Sequence, residues 1–159
     1  MRALALVLAL AACTTAPGGP IPQSVGLTPD ARGLQPAGTD LRIDFGRAEP
    51  GVIATVSRLL GSDPSRIVTQ PECGAGPVRA ASWPGGLTLN FQEGDFRGWV
   101  VDAPGQPVAG GLQVGQMPPD LPLQSTSLGR EFSQTGVFGL VEDAGRVTTL
   151  WSGTTCFFR

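Results

Sequence analysis

The sequence predicts an α+β fold: an antiparallel sheet of hairpins with one main amphipathic helix at about residues 50–60. The apolar residues of the helix recur at the spacing of one helical face: Val52, Ile53, Val56, Leu59 and Leu60. Residues 87–102 and 137–151 each contain two alternating runs around a polar, Gly-containing turn, which is the pattern of a β-hairpin. One helix and two hairpins favour a helix packed on one face of a sheet.

The first twelve residues have the features of a secretory signal. Arg2 precedes an apolar run at residues 3–12, and ten residues are too few for a membrane-spanning helix, which needs roughly 20. A short apolar run that follows a positive charge and ends in small residues is typical of a signal peptide. We therefore expect residues 1–12 to be removed on export.

The end of this run, Leu10-Ala11-Ala12-Cys13, resembles the bacterial lipobox. The resemblance implies a diacylglycerol on the Cys13 thiol, cleavage before Cys13 and acylation of the new amine by a chain such as palmitate. Two or more acyl chains form a stable membrane anchor. Thr14, where an Asp would retain the protein, implies by the same resemblance the periplasmic face of the outer membrane. The alternative is an ordinary secretory signal with a chance cysteine.

Residues 13–40 are rich in Gly and Pro, and their apolar residues follow no period. This composition predicts a linker between the lipidated cysteine and a single α+β domain at residues 41–159. The last part of the linker, from Arg32, is open to a second interpretation, as one side of a turn at Gly38.

The predicted domain begins with a strand at residues 41–46. Leu41, Ile43 and Phe45 alternate with polar residues, which indicates one buried face. In the helix that follows, Pro50 suits the first turn and Gly61 suits the C-terminal cap.

A strand and a hairpin recur later in the chain. Residues 111–115 and the second hairpin match the first strand and the first hairpin, while Pro118 and Pro119 leave little room for a second helix. The sequence therefore allows a degenerate internal duplication. It equally allows two ordinary hairpins in one antiparallel sheet.

The order of strand with terminal glycine, helix and hairpin over residues 41–159 resembles small bacterial envelope lipoproteins. Outer-membrane-assembly lipoproteins and the beta-lactamase-inhibitor-like fold are built from such units. The resemblance implies a binding protein rather than an enzyme.

Cys73 and Cys156 remain once Cys13 is assigned to the lipid. A pair of cysteines in an exported protein predicts a disulfide, which would stabilise the fold by about 4 kcal/mol. The alternative is two buried free thiols. A redox or metal pair is disfavoured because the chain has neither a CxxC motif nor a histidine.

The composition excludes several classes of function. A net charge of −2 with 15% charged residues disfavours nucleic-acid binding. The absence of His and Lys excludes a Ser-His-Asp triad and a Schiff-base lysine. We expect no metal and no cofactor.

Paired carboxylates are the remaining catalytic device, as in glycoside hydrolysis. Glu93 and Asp95 fall in one predicted hairpin turn, and Glu142 and Asp143 fall in the other. Carboxylates in solvated turns are poor general acids. We therefore expect a protein that is not an enzyme, the alternative being a small carboxylate-based hydrolase acting on envelope glycans.

Aromatic residues next to arginines are the candidate binding residues. Trp83 precedes a Pro-Gly-Gly loop, so we expect it to be exposed and to form a patch with Arg79, Arg97 and Trp99. The alternative is that the tryptophans are core residues. The sequence thus predicts a non-catalytic, lipid-anchored protein that binds the membrane through Cys13 and an envelope protein or glycan through its domain.

Overall fold

The computed structural model describes residues 26–157, so the predicted signal peptide and Cys13 lie outside the described residues. The first elements in chain order are β1 (Leu27–Asp30), β2 (Gly33–Pro36), β3 (Ile43–Asp44), α1 (Glu49–Leu60), β4 (Arg66–Gln70) and β5 (Val78–Ser82). The later ones are β6 (Leu87–Gln92), β7 (Asp95–Val101), a 3₁₀ turn (Ala109–Gly111), β8 (Gln124–Thr126), β9 (Gly129–Gln134), β10 (Val137–Val141) and β11 (Val147–Gly153).

Two antiparallel sheets and one α-helix make up the described residues, which confirms the predicted α+β class. The small sheet has the order β1-β2-β3. The large sheet has the order β4-β5-β6-β7-β11-β10-β9-β8. It therefore consists of two four-stranded meanders that meet through their last strands, with Val101 opposite Leu150. No helix among the described residues is long and apolar enough to cross a membrane.

The two predicted hairpins are β6–β7 and β10–β11, and both belong to the large sheet. The predicted match of residues 111–115 to the first strand is wrong, because these residues form no strand and no helix follows them. What repeats in the large sheet is a four-stranded meander, and α1 is not part of that repeat.

Helix α1 follows the sequence prediction closely. Pro50 lies in its first turn, and Gly61 ends it in the left-handed conformation at φ 69°, donating its N–H to the Ser57 carbonyl. A left-handed residue at this position is most often glycine because it has no Cβ to clash. Val52 and Val56 are buried, so the predicted apolar face is the one that packs on the core.

The predicted linker at residues 13–40 extends too far, because the folded domain already includes residues from Leu27 onward. Leu27–Asp30 and Gly33–Pro36 form a hairpin, and both Leu27 and Leu34 belong to the core. The Asp30 carboxylate closes the turn by accepting the N–H groups of Arg32 and Gly33. Each strand is only four residues long, so the Gly and Pro content concealed an alternation too short to recognise.

The predicted strand at residues 41–46 is shorter than expected. Only Ile43 and Asp44 pair with β2, and Leu41 is 78% exposed rather than buried. Ile43 keeps the predicted buried position. The prediction that Leu41 is buried failed because the chain pairs with β2 only from Ile43 onward.

The core lies between one face of the large sheet and the elements that cover it. Cross-strand pairing places Leu89 and Trp99 on the same face, and Val101 and Leu150 likewise. The residues that cover this face from the small sheet and α1 belong to the same buried cluster: Leu27, Leu34, Ile43, Val52 and Val56.

The C-terminal segment is fixed to the large sheet. Asn90 donates its side-chain N–H to the Thr154 carbonyl at 2.9 Å, and the Phe157 ring meets Trp151 edge to face at 5.1 Å. A disulfide joins Cys73 to Cys156, with their Cα atoms 5.1 Å apart. The predicted disulfide is thereby confirmed.

Candidate functional site

The patch predicted around Trp83 is not available to a partner. The Trp83 side chain is 2% exposed, and its indole N–H donates to the Ser62 carbonyl at 3.1 Å. Trp99 is fully buried, and its indole N–H donates to the Asp30 carbonyl at 2.7 Å. The expectation of exposure is therefore wrong, and the alternative interpretation of these tryptophans as core residues is correct. A buried indole is stable there because its N–H finds an acceptor.

The two arginines predicted for this patch are exposed, but each is paired with a carboxylate. The Arg79 guanidinium pairs with Glu49 at 2.6 Å, which ties β5 to the first turn of α1. Arg97 pairs with Asp95, two residues away, at 2.8 Å. The structure does not assemble Trp83, Arg79, Arg97 and Trp99 into one surface.

The carboxylates of the hydrolase alternative lie in two turns at opposite ends of the sheet, Glu93 and Asp95 at one turn and Glu142 and Asp143 at the other. Glu93 precedes β7 and Glu142 precedes β11, and these two strands run antiparallel. The seven residues of β7 alone separate the two turns by at least about 20 Å. Glycoside hydrolysis requires two carboxylates no more than about 9.5 Å apart. The two turns therefore cannot act together on one bond. Within the turns, Glu93, Glu142 and Asp143 are exposed to solvent, and Asp95 is paired with Arg97.

An open groove of about 570 Å³ lies between α1 and the chain from β2 to β3. We call it the α1 groove. Its volume is in the range of small-molecule sites in proteins, about 300–1,000 Å³. Its apolar wall opposite the helix is formed by Pro36, Leu41 and Ile43. Leu41, the residue that the alternation expected to be buried, projects at the edge of this wall.

One stripe of α1 forms the other wall of the groove. Residues at i, i+3, i+4, i+7 and i+11 line it: Ala48, Gly51, Val52, Thr55 and Leu59. These positions follow one line along a helix, and at 1.5 Å per residue the wall is about 16 Å long. The groove is therefore elongated along the axis of α1.

Gly51 lines the groove without a side chain. It lies in the first turns of α1, and a Cβ built on it would meet no atom within 4 Å. A glycine inside a helix is less stable than an alanine by roughly 0.5–1 kcal/mol. The backbone thus has room for a side chain at Gly51, and a large side chain there would take up space at the groove lining.

Two arginines line the groove, and they differ in whether neighbouring carboxylates already neutralise their charge. Arg42 pairs with Asp30 at 2.8 Å and with Asp44 at 2.9 Å. Burial acts to lower the pKa of Arg42, but hydrogen bonds to Asp44 and Asp30 and the charges of both carboxylates outweigh it, so this pKa lies above its ordinary value. The Arg42 charge is already neutralised by its neighbours.

Arg47 is the available cation of the groove. It is exposed, and among residues 26–157 its guanidinium has no ion pair and no hydrogen bond. Its backbone is well held, because the Arg47 carbonyl accepts the Phe96 N–H and the Glu49 N–H donates to the Gly94 carbonyl, both at 2.8 Å. The β6–β7 hairpin therefore fixes the position of Arg47 beside the start of α1.

The groove was not predicted from the sequence, although one signal pointed to it. Gly51 is an unexpected glycine inside an otherwise apolar helical pattern. Leu41 gave no such signal, because its exposure depends on the length of β3. Arg47 carried no signal in the sequence, because nothing local distinguishes it from the paired arginines.

The chain matches no known protein-family model, no curated protein and no solved structure. Residues 26–157 also contain no group of three or more side chains that could hold a metal ion. The interpretation of the site therefore depends on its own geometry.

Proposed function

We propose that this protein is a lipid-anchored, non-catalytic binding protein of the bacterial cell envelope, held at the periplasmic face of the outer membrane through Cys13. Its folded domain binds an apolar group of an envelope component in the α1 groove. The lipobox-like residues 10–13 support the anchor, and the groove supports the binding.

The observation that carries the binding role is the groove itself. It combines apolar walls, an exposed leucine at 78% and a helical glycine with open space above it. Binding sites for small ligands are concave and mostly apolar, with a few placed polar groups. The hydrolase alternative receives less support, because Glu93, Glu142 and Asp143 are exposed turn residues and the Asp95 carboxylate is paired with Arg97. Solvated turn carboxylates are poor general acids.

The anchor is tested by replacing Cys13→Ser in the full-length chain. The variant should move from the membrane fraction to the soluble fraction, because it can no longer carry acyl chains. Immunoblotting of fractionated cells measures this. The Thr14→Ser variant serves as the control and should stay with the membrane. Retention of Cys13→Ser in the membrane fraction would overturn the anchor.

The binding role is tested by placing a photoreactive amino acid in the groove. Thr55→p-benzoylphenylalanine lines the groove, whereas Ala54→p-benzoylphenylalanine lies on the same helix outside it. Irradiation of intact cells should add mass to the chain at position 55 and not at position 54, as read by mass spectrometry of the intact protein.

Equal labelling at both positions, or no labelling at position 55, would contradict a groove that is occupied in the cell. Both variants place the new side chain on an exposed or half-exposed helical position, so both should fold like the parent chain. Circular dichroism of the two variants checks this.

A further inference from the structure

We propose that the α1 groove binds a long-chain fatty acid, with the acyl chain along α1 and the carboxylate at Arg47. This inference rests on the proposed binding function and names the ligand of the same site. The occupant follows from three properties of the groove: its length, its single available charge and the place where that charge lies.

The length of the groove suits one acyl chain. The helical wall from Ala48 to Leu59 measures about 16 Å. A leaflet of a bilayer, which one acyl chain spans, is about 15 Å thick, half of the hydrocarbon core. Leu59 of α1 and Leu41 of the opposite wall offer apolar side chains along this length, and the buried residues Val52 and Ile43 also line it.

The groove offers one available positive charge, and it lies at one end of the groove. Arg42 is neutralised by Asp30 and Asp44, which leaves Arg47 as the available cation on the groove lining within the described residues. Arg47 lies just before α1 rather than halfway along it. A molecule that is apolar along its length and anionic at one end matches this arrangement.

The Arg47 guanidinium is the group at this end that would attract an anion. Most backbone N–H groups at the start of α1 are already used, because Glu49 donates to the Gly94 carbonyl, Val52 donates to the Ala48 carbonyl and Pro50 has no N–H. The Glu49 carboxylate is held by Arg79. A ligand carboxylate at this end would therefore pair with Arg47.

Binding is measured by calorimetry with palmitate below its micellar concentration, on the full-length chain carrying Cys13→Ser so that no detergent is needed. One palmitate should bind per chain. Shortening the ligand from palmitate to myristate should weaken binding roughly threefold to tenfold, because two methylene groups leave a half-open apolar site.

Two variants test the placement of the ligand. Gly51→Leu fills the groove from an open position and should weaken palmitate binding at least tenfold, while Ala54→Leu on the same helix should leave it unchanged. Arg47→Gln should weaken palmitate about fivefold and leave methyl palmitate unaffected. Arg66→Gln, an exposed arginine of β4, is the charge control.

The inference would be overturned if Gly51→Leu left palmitate binding unchanged. It would also be overturned if methyl palmitate bound as tightly as palmitate. So would an absence of palmitate binding. If that absence were accompanied by labelling at position 55 in cells, the ligand class would be wrong and the binding function would stand. If position 55 were unlabelled as well, the fatty-acid ligand and the proposed binding function would both be wrong.

Discussion

At the scale of single residues, the conformation of a glycine decides what its replacement does. Gly51 and Gly61 lie near the two ends of α1. Gly51 has an ordinary helical backbone and open space above it, whereas Gly61 ends the helix at φ 69°. An L side chain is strained in the left-handed region by about 1–2 kcal/mol. The same substitution should therefore have opposite effects at the two positions.

We expect Gly51→Ala to raise the free energy of unfolding by roughly 0.5–1 kcal/mol, because alanine loses less backbone entropy in a helix. Gly61→Ala should lower it by about 1 kcal/mol, because a Cβ is introduced at a positive φ. Urea denaturation of the full-length chain measures both. Changes of the same sign would show that the backbone assignment of one glycine is wrong.

Buried tryptophans show a second effect at the residue scale. A tryptophan before a Pro-Gly-Gly loop has a local sequence that favours exposure, yet Trp83 is covered and donates to Ser62, 21 residues away. Trp99 donates to Asp30, 69 residues away. No local pattern contains either acceptor, so the sequence could not show that these indoles have buried partners.

At the scale of elements, turns and helix ends followed local chemistry. The β6–β7 hairpin turns through Glu93 and Gly94, both at positive φ (54° and 82°), as a two-residue turn between twisted strands requires. Helix α1 has Pro50 in its first turn and Gly61 as its C-terminal cap, as predicted. These features were predictable because the residues that cause them are neighbours in the chain.

Short strands were the elements that the sequence did not reveal. The four-residue strands β1 and β2 and the two-residue strand β3 are each too brief to show a period. What holds them is long-range: the Arg42 guanidinium joins Asp30 to Asp44, and Leu27 and Leu34 enter the core. This small sheet supplies one wall of the α1 groove, so the groove was equally hidden.

At the scale of the whole molecule, the two meanders share one continuous sheet, and the disulfide ties the end of the chain to the segment between β4 and β5. Cys73 and Cys156 are 83 residues apart. A closed loop of this length restricts the unfolded chain strongly. The C-terminal segment also contacts the sheet through Thr154, whose backbone lies against Gly98 so closely that no Cβ fits there.

We expect the double variant Cys73→Ala and Cys156→Ala to lose about 4.5 kcal/mol of unfolding free energy, the chain-entropy value for a loop of this length. Urea denaturation under non-reducing conditions measures the loss against the parent chain. Reduction of the parent chain with dithiothreitol should give a similar decrease. A stability that neither change lowers would show that the bond does not form in solution.

The sequence by itself determined the α+β class, the bounds of the helix, the two main hairpins and the pairing of the two cysteines. Each depends on local periodicity, on turn residues or on the count of thiols. The tertiary structure alone decided which tryptophans are buried and that the chain from Leu27 belongs to the domain. It also decided that Arg47 has no ion-pair partner among residues 26–157 and lies beside an apolar groove. Those outcomes depend on contacts between residues far apart in the chain, and burial and charge pairing are properties of such contacts rather than of any one segment.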